Sequence, residues 1–171
     1  EIRQSPFSIP LTPHWENFIK VWDRGLYSIY LPNTVNYAIA IVTGVCAISC
    51  LAGYALARLR FPARDQLFTL FLVGLMVPFF ALMVPIYLLI RDLGLLGTRL
   101  GFIAPAIAMA LPFGIFLMRS FFLALPNELA EAARIDGCTE FQVFRKVMLP
   151  LAYPGLASLA VFEFLWTWNM F

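Results

Sequence analysis

Charge is scarce in this sequence. Of its 171 residues only 13% are charged, while 61% are hydrophobic. That balance excludes an ordinary soluble domain, in which about a quarter of residues carry charge. A net charge of +2 with dispersed basic residues also excludes a nucleic-acid surface, which requires a dense basic patch. Arg58, Arg60 and Arg64 form the one tight basic group and read as a topology signal. Histidine and cysteine are few: one His and three Cys give no basis for a metal centre or a disulfide framework. His14 stands without ligand partners and Cys138 lies apart. Cys46 and Cys50 share a helix face inside an apolar run and read as packing residues. A phosphate-cradling Gly-x-x-x-x-Gly-Lys-Ser/Thr is missing, since neither Lys20 nor Lys146 has the glycine before it or Ser/Thr after it. Nor does any Ser/His/Asp or Cys/His arrangement point to a nucleophile. No catalytic, cofactor-binding or metal-ligating residue is expected in this chain.

Long uncharged runs, in contrast, are abundant. A bilayer core of about 30 Å needs about 20 helical residues, because unsatisfied backbone groups in lipid are costly. The runs Thr34–Ala57, Gln66–Ile90 and Leu100–Met118 meet that length, and a fourth begins at Leu151. The sequence therefore predicts an all-α polytopic membrane bundle with spans at about 34–57, 66–90, 100–122 and 151–171. A polar connection covers 1–32 and the transmembrane domain 33–171. The chain begins without Met and stops inside an apolar run, so it is expected to be a fragment of a longer subunit. Pro78, Pro85, Pro105 and Pro112 interrupt the spans. Each would cost about 3 kcal/mol in a soluble helix, but a membrane bundle can re-satisfy the freed carbonyls. Kinked spans fit a protein that opens and closes, and a static bundle equally.

Lysine and arginine near span ends favour the cytoplasm. Arg58, Arg60 and Arg64 place the first connection there, make the loop at 91–100 external, and return the chain inside after Met118. The 1–32 segment is then external, with Trp15, Trp22, Tyr27 and Tyr30 at the interface their amphipathic rings prefer.

On the inner side, residues of about 123–150 interrupt the apolar pattern with charge: "LPNELAEAARIDGCTEFQVFRKVMLP". Pro126 suits a helix start, and Glu128 and Glu131 complement the positive end of its dipole. Leu129, Ala132, Ala133 and Ile135 recur at roughly helical spacing. Gly137 ends the helix, and "TEFQ" from Thr139 to Gln142 has the form of a capping box that starts a second one. Phe141, Phe144 and Met148 are predicted on one side of it, with Arg145 and Lys146 in its last turn and Pro150 leading into the next span. By local chemistry alone this is a two-helix hairpin on the membrane surface, which an ordinary cytoplasmic loop could equally be.

Glu131-Ala132-Ala133, three residues, Gly137, nine residues, then Val147-Met148-Leu149-Pro150 resembles the EAA loop of the membrane subunits of binding-protein-dependent ABC importers. Val147 stands where the family pattern has isoleucine. "PFGIFLMRSFFLALPNELAEAARIDG" and "FEFLWTWN" are similar to the carbohydrate branch, the maltose/oligosaccharide permeases, although Met170 stands where many relatives carry an acid. The resemblance implies a type I ABC importer permease with six spans, of which this chain carries the second to fourth, the loop and part of the fifth. It also implies a multi-pass protein of a bacterial inner membrane that moves a sugar or oligosaccharide by alternating access. The implied partners are an ATP-binding subunit dimer that holds ATP and Mg, a second permease subunit forming a heterodimer, and a periplasmic or lipid-anchored solute-binding protein. Glu131, Ala132, Ala133, Gly137, Val147, Leu149 and Pro150 would form the coupling loop, the alanines allowing close docking and Glu131 offering a charged contact. The alternatives are a permease for another solute, or a secondary transporter or channel subunit.

Glu163 lies about thirteen residues into the last span, roughly 20 Å along a helix from Pro150. An acid there is costly unless it faces a cavity or partner. Glu163, Trp166 and Asn169 are the candidate pathway-lining residues. Glu163 could instead reach interfacial water, and for Trp166 and Trp168 the interface-anchor reading is preferred.

Overall fold

A computed structural model of the chain describes residues 15–23 and 26–170. His14, with the rest of 1–14, lies outside them. Regular structure among the described residues is helical throughout, and the chain divides into two units, 1–36 and 37–171.

The first unit holds α1, Glu16–Asp23, and the opening turns of α2, Leu26–Arg58. α1 is amphipathic. Glu16 and Lys20 pair one turn apart at 3.7 Å, and Trp15, Phe18 and Trp22 are exposed. Pro32 sits inside α2 without ending it.

The second unit holds the rest of α2 and α3, Arg64–Met76, α4, Phe79–Asp92, and α5, Arg99–Ala124. The hairpin follows as α6, Asn127–Ile135, and α7, Glu140–Val143. α7 continues through one π-helical turn, Phe144–Met148, into the short α8, Leu149–Leu151; α9, Tyr153–Trp168, is the last helix. By length and composition α2 and α5 can each cross a membrane, and two further crossings arise if the bent pairs α3–α4 and α7/α8–α9 each count as one span.

Small residues set the contact of α2 with α5. A Cβ on Gly53 would lie 2.8 Å from Met118 Cβ and 2.9 Å from the Arg119 amide nitrogen, while Gly114 abuts Ser49 and Gly44 abuts Ile107. In lipid, apolar burial brings little hydrophobic gain, so close backbone approach and van der Waals packing hold helices together. Around this seam, Ile41, Val45 and Tyr54 of α2, Met118 and Phe122 of α5 and Leu159 of α9 form one buried cluster.

The segment predicted as one span over 66–90 departs from that expectation. It consists of two helices bent by 103° at Val77–Pro78, both in extended conformation. Proline disfavours the α-region at the residue before it and brings no amide donor of its own. Pro85, Pro105 and Pro112 remain inside continuous helices. No residue of α3 or α4 is buried. The last span also differs: a 72° bend separates the hairpin from α9, which starts at Tyr153 rather than Leu151.

Candidate functional site

The hairpin is closed by two local devices. At its tip, Gly137 N–H donates to Arg134 O and Cys138 N–H to Ala133 O, both at 3.0 Å, the paired bonds of a Schellman ending. Gly137 takes φ +81°, and a Cβ there would meet nothing within 4 Å. Replacement by an L-residue therefore meets only the backbone cost, about 1–2 kcal/mol. Next, Thr139 Oγ1 accepts from Gln142 N–H at 3.4 Å and Thr139 N–H donates to Gln142 Oε1 at 2.8 Å, completing the capping box.

Beyond α7 the backbone widens into the π turn, where Leu149 N–H donates to Phe144 O. Pro150 has no amide hydrogen, so the Lys146 carbonyl four residues earlier has no α-helical donor. Arg145 and Lys146 project from this turn into the open.

The hairpin's inner face differs in detail from the sequence expectation. Ala130 and Ala133 are buried with Val143, Phe144 and Met148, whereas Leu129, Phe141 and Ile135 are exposed, Ile135 at 86%. Phe141 thus does not share the buried side of Phe144 and Met148. Of the seven loop residues, Glu131, Ala132, Gly137 and Pro150 stand in the open, Val147 and Leu149 are partly buried, and Ala133 packs inward. Ala133 is occupied by its own chain, whereas Ala132 is exposed.

Charged side chains fix the hairpin to the spans. Arg134 grips Glu140 with two bonds, Nε to Oε1 at 2.6 Å and Nη2 to Oε2 at 3.2 Å, while Tyr54 Oη of α2 donates to Glu140 Oε2 at 3.3 Å. The Arg134 guanidinium holds the Glu140 carboxyl below its ordinary range, and Glu140 in turn raises Arg134. The Tyr54 ring meets Phe122 edge-on at 5.5 Å and Phe144 at 5.0 Å. Arg58, the last residue of α2, donates through Nε to Phe122 O at 3.0 Å and also bonds Leu125 O and the Asn127 side chain. A groove of about 560 Å³ opens beside this joint, lined by Arg58, Arg60, Glu131 and Arg134 among others.

Arg58, expected as a topology signal, and Tyr54, for which the sequence offers no role, both bind the hairpin. The only trace of either role was position, since both close a long apolar run. Their partners are 64 to 86 residues away in the chain.

Glu163 and Trp166 come together elsewhere. With Thr167 they line a cavity of about 600 Å³ walled by Phe79, Met83 and Tyr87 of α4 and by Phe102, Pro105 and Phe113 of α5. Glu163 is only 7% exposed, and among the described residues no donor hydrogen-bonds its carboxyl. Asn169 does not join this wall; its Nδ2 donates to Leu165 O at 2.6 Å. Trp168 packs on Phe164 at 5.4 Å. No group of three or more His, Cys, Asp or Glu converges among the described residues.

Fold and site together define a multi-span membrane subunit that mounts an exposed helical hairpin on the ends of its spans. A family model described as "Binding-protein-dependent transport system inner membrane component" matches residues 47–171, and the chain belongs to that family. It is 40% identical to the diacetylchitobiose uptake system permease protein NgcG of Streptomyces coelicolor, over 100% of this chain and 57% of the relative. It is 43% identical to the arabinooligosaccharides transport system permease protein AraQ of Halalkalibacterium halodurans, over 95% and 58%. The sn-glycerol-3-phosphate transport system permease protein UgpE of Yersinia pestis is 35% identical, over 100% and 63%. The chain thus spans roughly three-fifths of the length of these relatives. It also superposes, with a TM-score of 0.82 and 29% identity over 95% of its length and 57% of the other chain, on a solved bacterial ABC transporter involved in the import of the acidic polysaccharide alginate.

Proposed function

We propose that this chain forms part of the translocation pathway of an ATP-driven ABC importer and moves a sugar or oligosaccharide by alternating access. The reading rests on the exposed face of α6 with Glu131 and Ala132, on a hairpin whose other face is locked into the spans. In this reading the hairpin lies on the cytoplasmic side and docks on a separate ATP-binding subunit, which holds ATP and Mg and performs hydrolysis; the permease itself is not an enzyme. The basic residues Arg58, Arg60, Arg64, Arg145 and Lys146 support that orientation. A second permease subunit completes the pathway, and an external solute-binding protein delivers the cargo.

Glu163 and Trp166 face the cargo in this reading, the carboxyl accepting hydrogen bonds from hydroxyls and the aromatic wall packing on sugar faces. Likeness to a glycerol-3-phosphate permease favours a second cargo class. Among the described residues the cavity lining offers phosphate no cation to pair with, which opposes it.

The test uses the full-length subunit reconstituted with its second permease and ATPase in proteoliposomes loaded with ATP. Uptake of a labelled oligosaccharide with its binding protein present is the expected result, lost when the ATPase is omitted. Uptake that persists without the ATPase and follows an ion gradient would instead establish a secondary transporter.

A further inference from the structure

Two arginines cross between α2 and α5 where the hairpin begins. Arg58 leaves the end of α2 and donates to the α5-end carbonyls of Phe122 and Leu125 and to the side chain of Asn127, the first residue of α6. Arg119 leaves α5 in the opposite sense and donates through Nε to Leu56 O of α2 at 3.3 Å. The same guanidinium lies 3.9 Å from the centre of the Phe68 ring and 3.8 Å from Asp65, both on α3. Each helix thus ends with its last carbonyls, the negative pole of its dipole, held by a cation from its neighbour. A guanidinium suits this role because its rigid planar fork spreads five donors in fixed directions, whereas an ammonium offers three from one point.

The exchange has a mechanical consequence. The connection from α5 to α6 is short, with extended backbone at Leu125 and Pro126, and could swivel if nothing spanned it. Arg58 spans it: one side chain holds the residues before the turn and the first residue after it. A force on α6 then reaches α2 and α5 together, and through Arg119 reaches α3.

We propose that Arg58 and Arg119 form a reciprocal clasp that positions the hairpin, uniting it with the ends of α2, α3 and α5 as one lever. Arg58 is the member that carries hairpin displacement into the spans. This rests on the reading of the hairpin as the docking site for an ATPase.

The experiment uses the complete reconstituted importer and reads the ratio of molecules transported to ATP hydrolysed. Docking is monitored separately by cross-linking Ile135→Cys, in a Cys138→Ser background, to the ATPase. In Arg58→Ala, cross-linking and ATP hydrolysis are expected to persist while the transport ratio falls at least about fivefold, the scale on which network residues alter coupling. Arg58→Lys is expected to restore only part of the ratio. Asn127→Ala removes only the link to the hairpin and leaves the α2–α5 exchange in place; it is expected to lower the ratio in the same direction. Should Arg58→Ala fail to assemble, Asn127→Ala decides the matter. An unchanged ratio in Asn127→Ala, and in Arg58→Ala where that variant assembles, with cross-linking intact, would overturn the clasp alone. Failure of the Ile135→Cys, Cys138→Ser subunit with Arg58 and Asn127 intact to cross-link would overturn the docking reading and the clasp with it.

Discussion

Glu140 shows how one side chain in the hairpin serves three elements. It accepts from Arg134 of α6 and Tyr54 of α2 while standing in the first turn of its own helix. Its carboxyl is held below the ordinary range, first by the hydrogen bond from Arg134. A lowered folded value means that the contribution to stability is complete above the ordinary carboxylate range and disappears as pH falls through the lowered value. Both partners are substantially exposed, at 37% and 49%, so the effect is expected to be under about 1 kcal/mol. Hydrogen exchange of the amides at 140–148 checks this: protection should fall at that acid edge in the parent and stay level through it in Glu140→Gln. Equal profiles would remove the pair from any role in holding the hairpin. Residues of this kind divide sharply in how legible they are. Thr139 and Gln142 could be paired from sequence because their chemistry closes within three residues. Ala133 could not be assigned a side, because whether an alanine faces in or out depends on which distant helix covers it.

Elements were legible where local rules govern and less so where two rules compete. The long runs at 34–57 and 100–122 lie inside α2 and α5, since uncharged length leaves lipid-exposed backbone little alternative to helix, but α2 starts at Leu26, within the segment expected as a polar connection. The run at 66–90 has the same composition but contains Val77–Pro78, where proline's restriction on its predecessor prevails and the run splits. Pro105 and Pro112 are proline too, yet α5 stays whole, so the residue type by itself did not identify the break. Packing of α2 on α5 yields a firmer expectation. Gly53→Val would place its side chain against Met118 and the Arg119 backbone, neither of which is the far end of a flexible chain. Overpacking of this kind typically costs about 1–3 kcal/mol. The variant is expected to show a lower Tm in detergent, whereas Gly137→Ala, also a glycine change, should leave the α2–α5 seam undisturbed. A Gly53→Val subunit with parental Tm would show that the seam can yield.

For the whole molecule, the broken helix bears on how the protein enters the membrane. α3 has 13 residues and α4 has 14, so each is about 20 Å long, short of a hydrocarbon core of about 30 Å. At the break, α3 loses its helical donors and α4 its helical acceptors, leaving polar backbone that lipid cannot satisfy. α3 finds cover on α5, where Gly74 lies against the Pro112 ring, but α5 is synthesised later. The order of synthesis then predicts that 64–92 settles in lipid only once 99–124 has emerged. A chain ended at Leu93 and released from the ribosome into the membrane is expected to leave cysteines placed in α4 open to a water-soluble maleimide. A chain ended after Ala124 and released in the same way should protect them, and equal labelling of both would show that α3 and α4 need no help from α5. The bend that gives the cavity its wall is thus also expected to make insertion a cooperative event, with α5 as the segment for which the earlier ones wait.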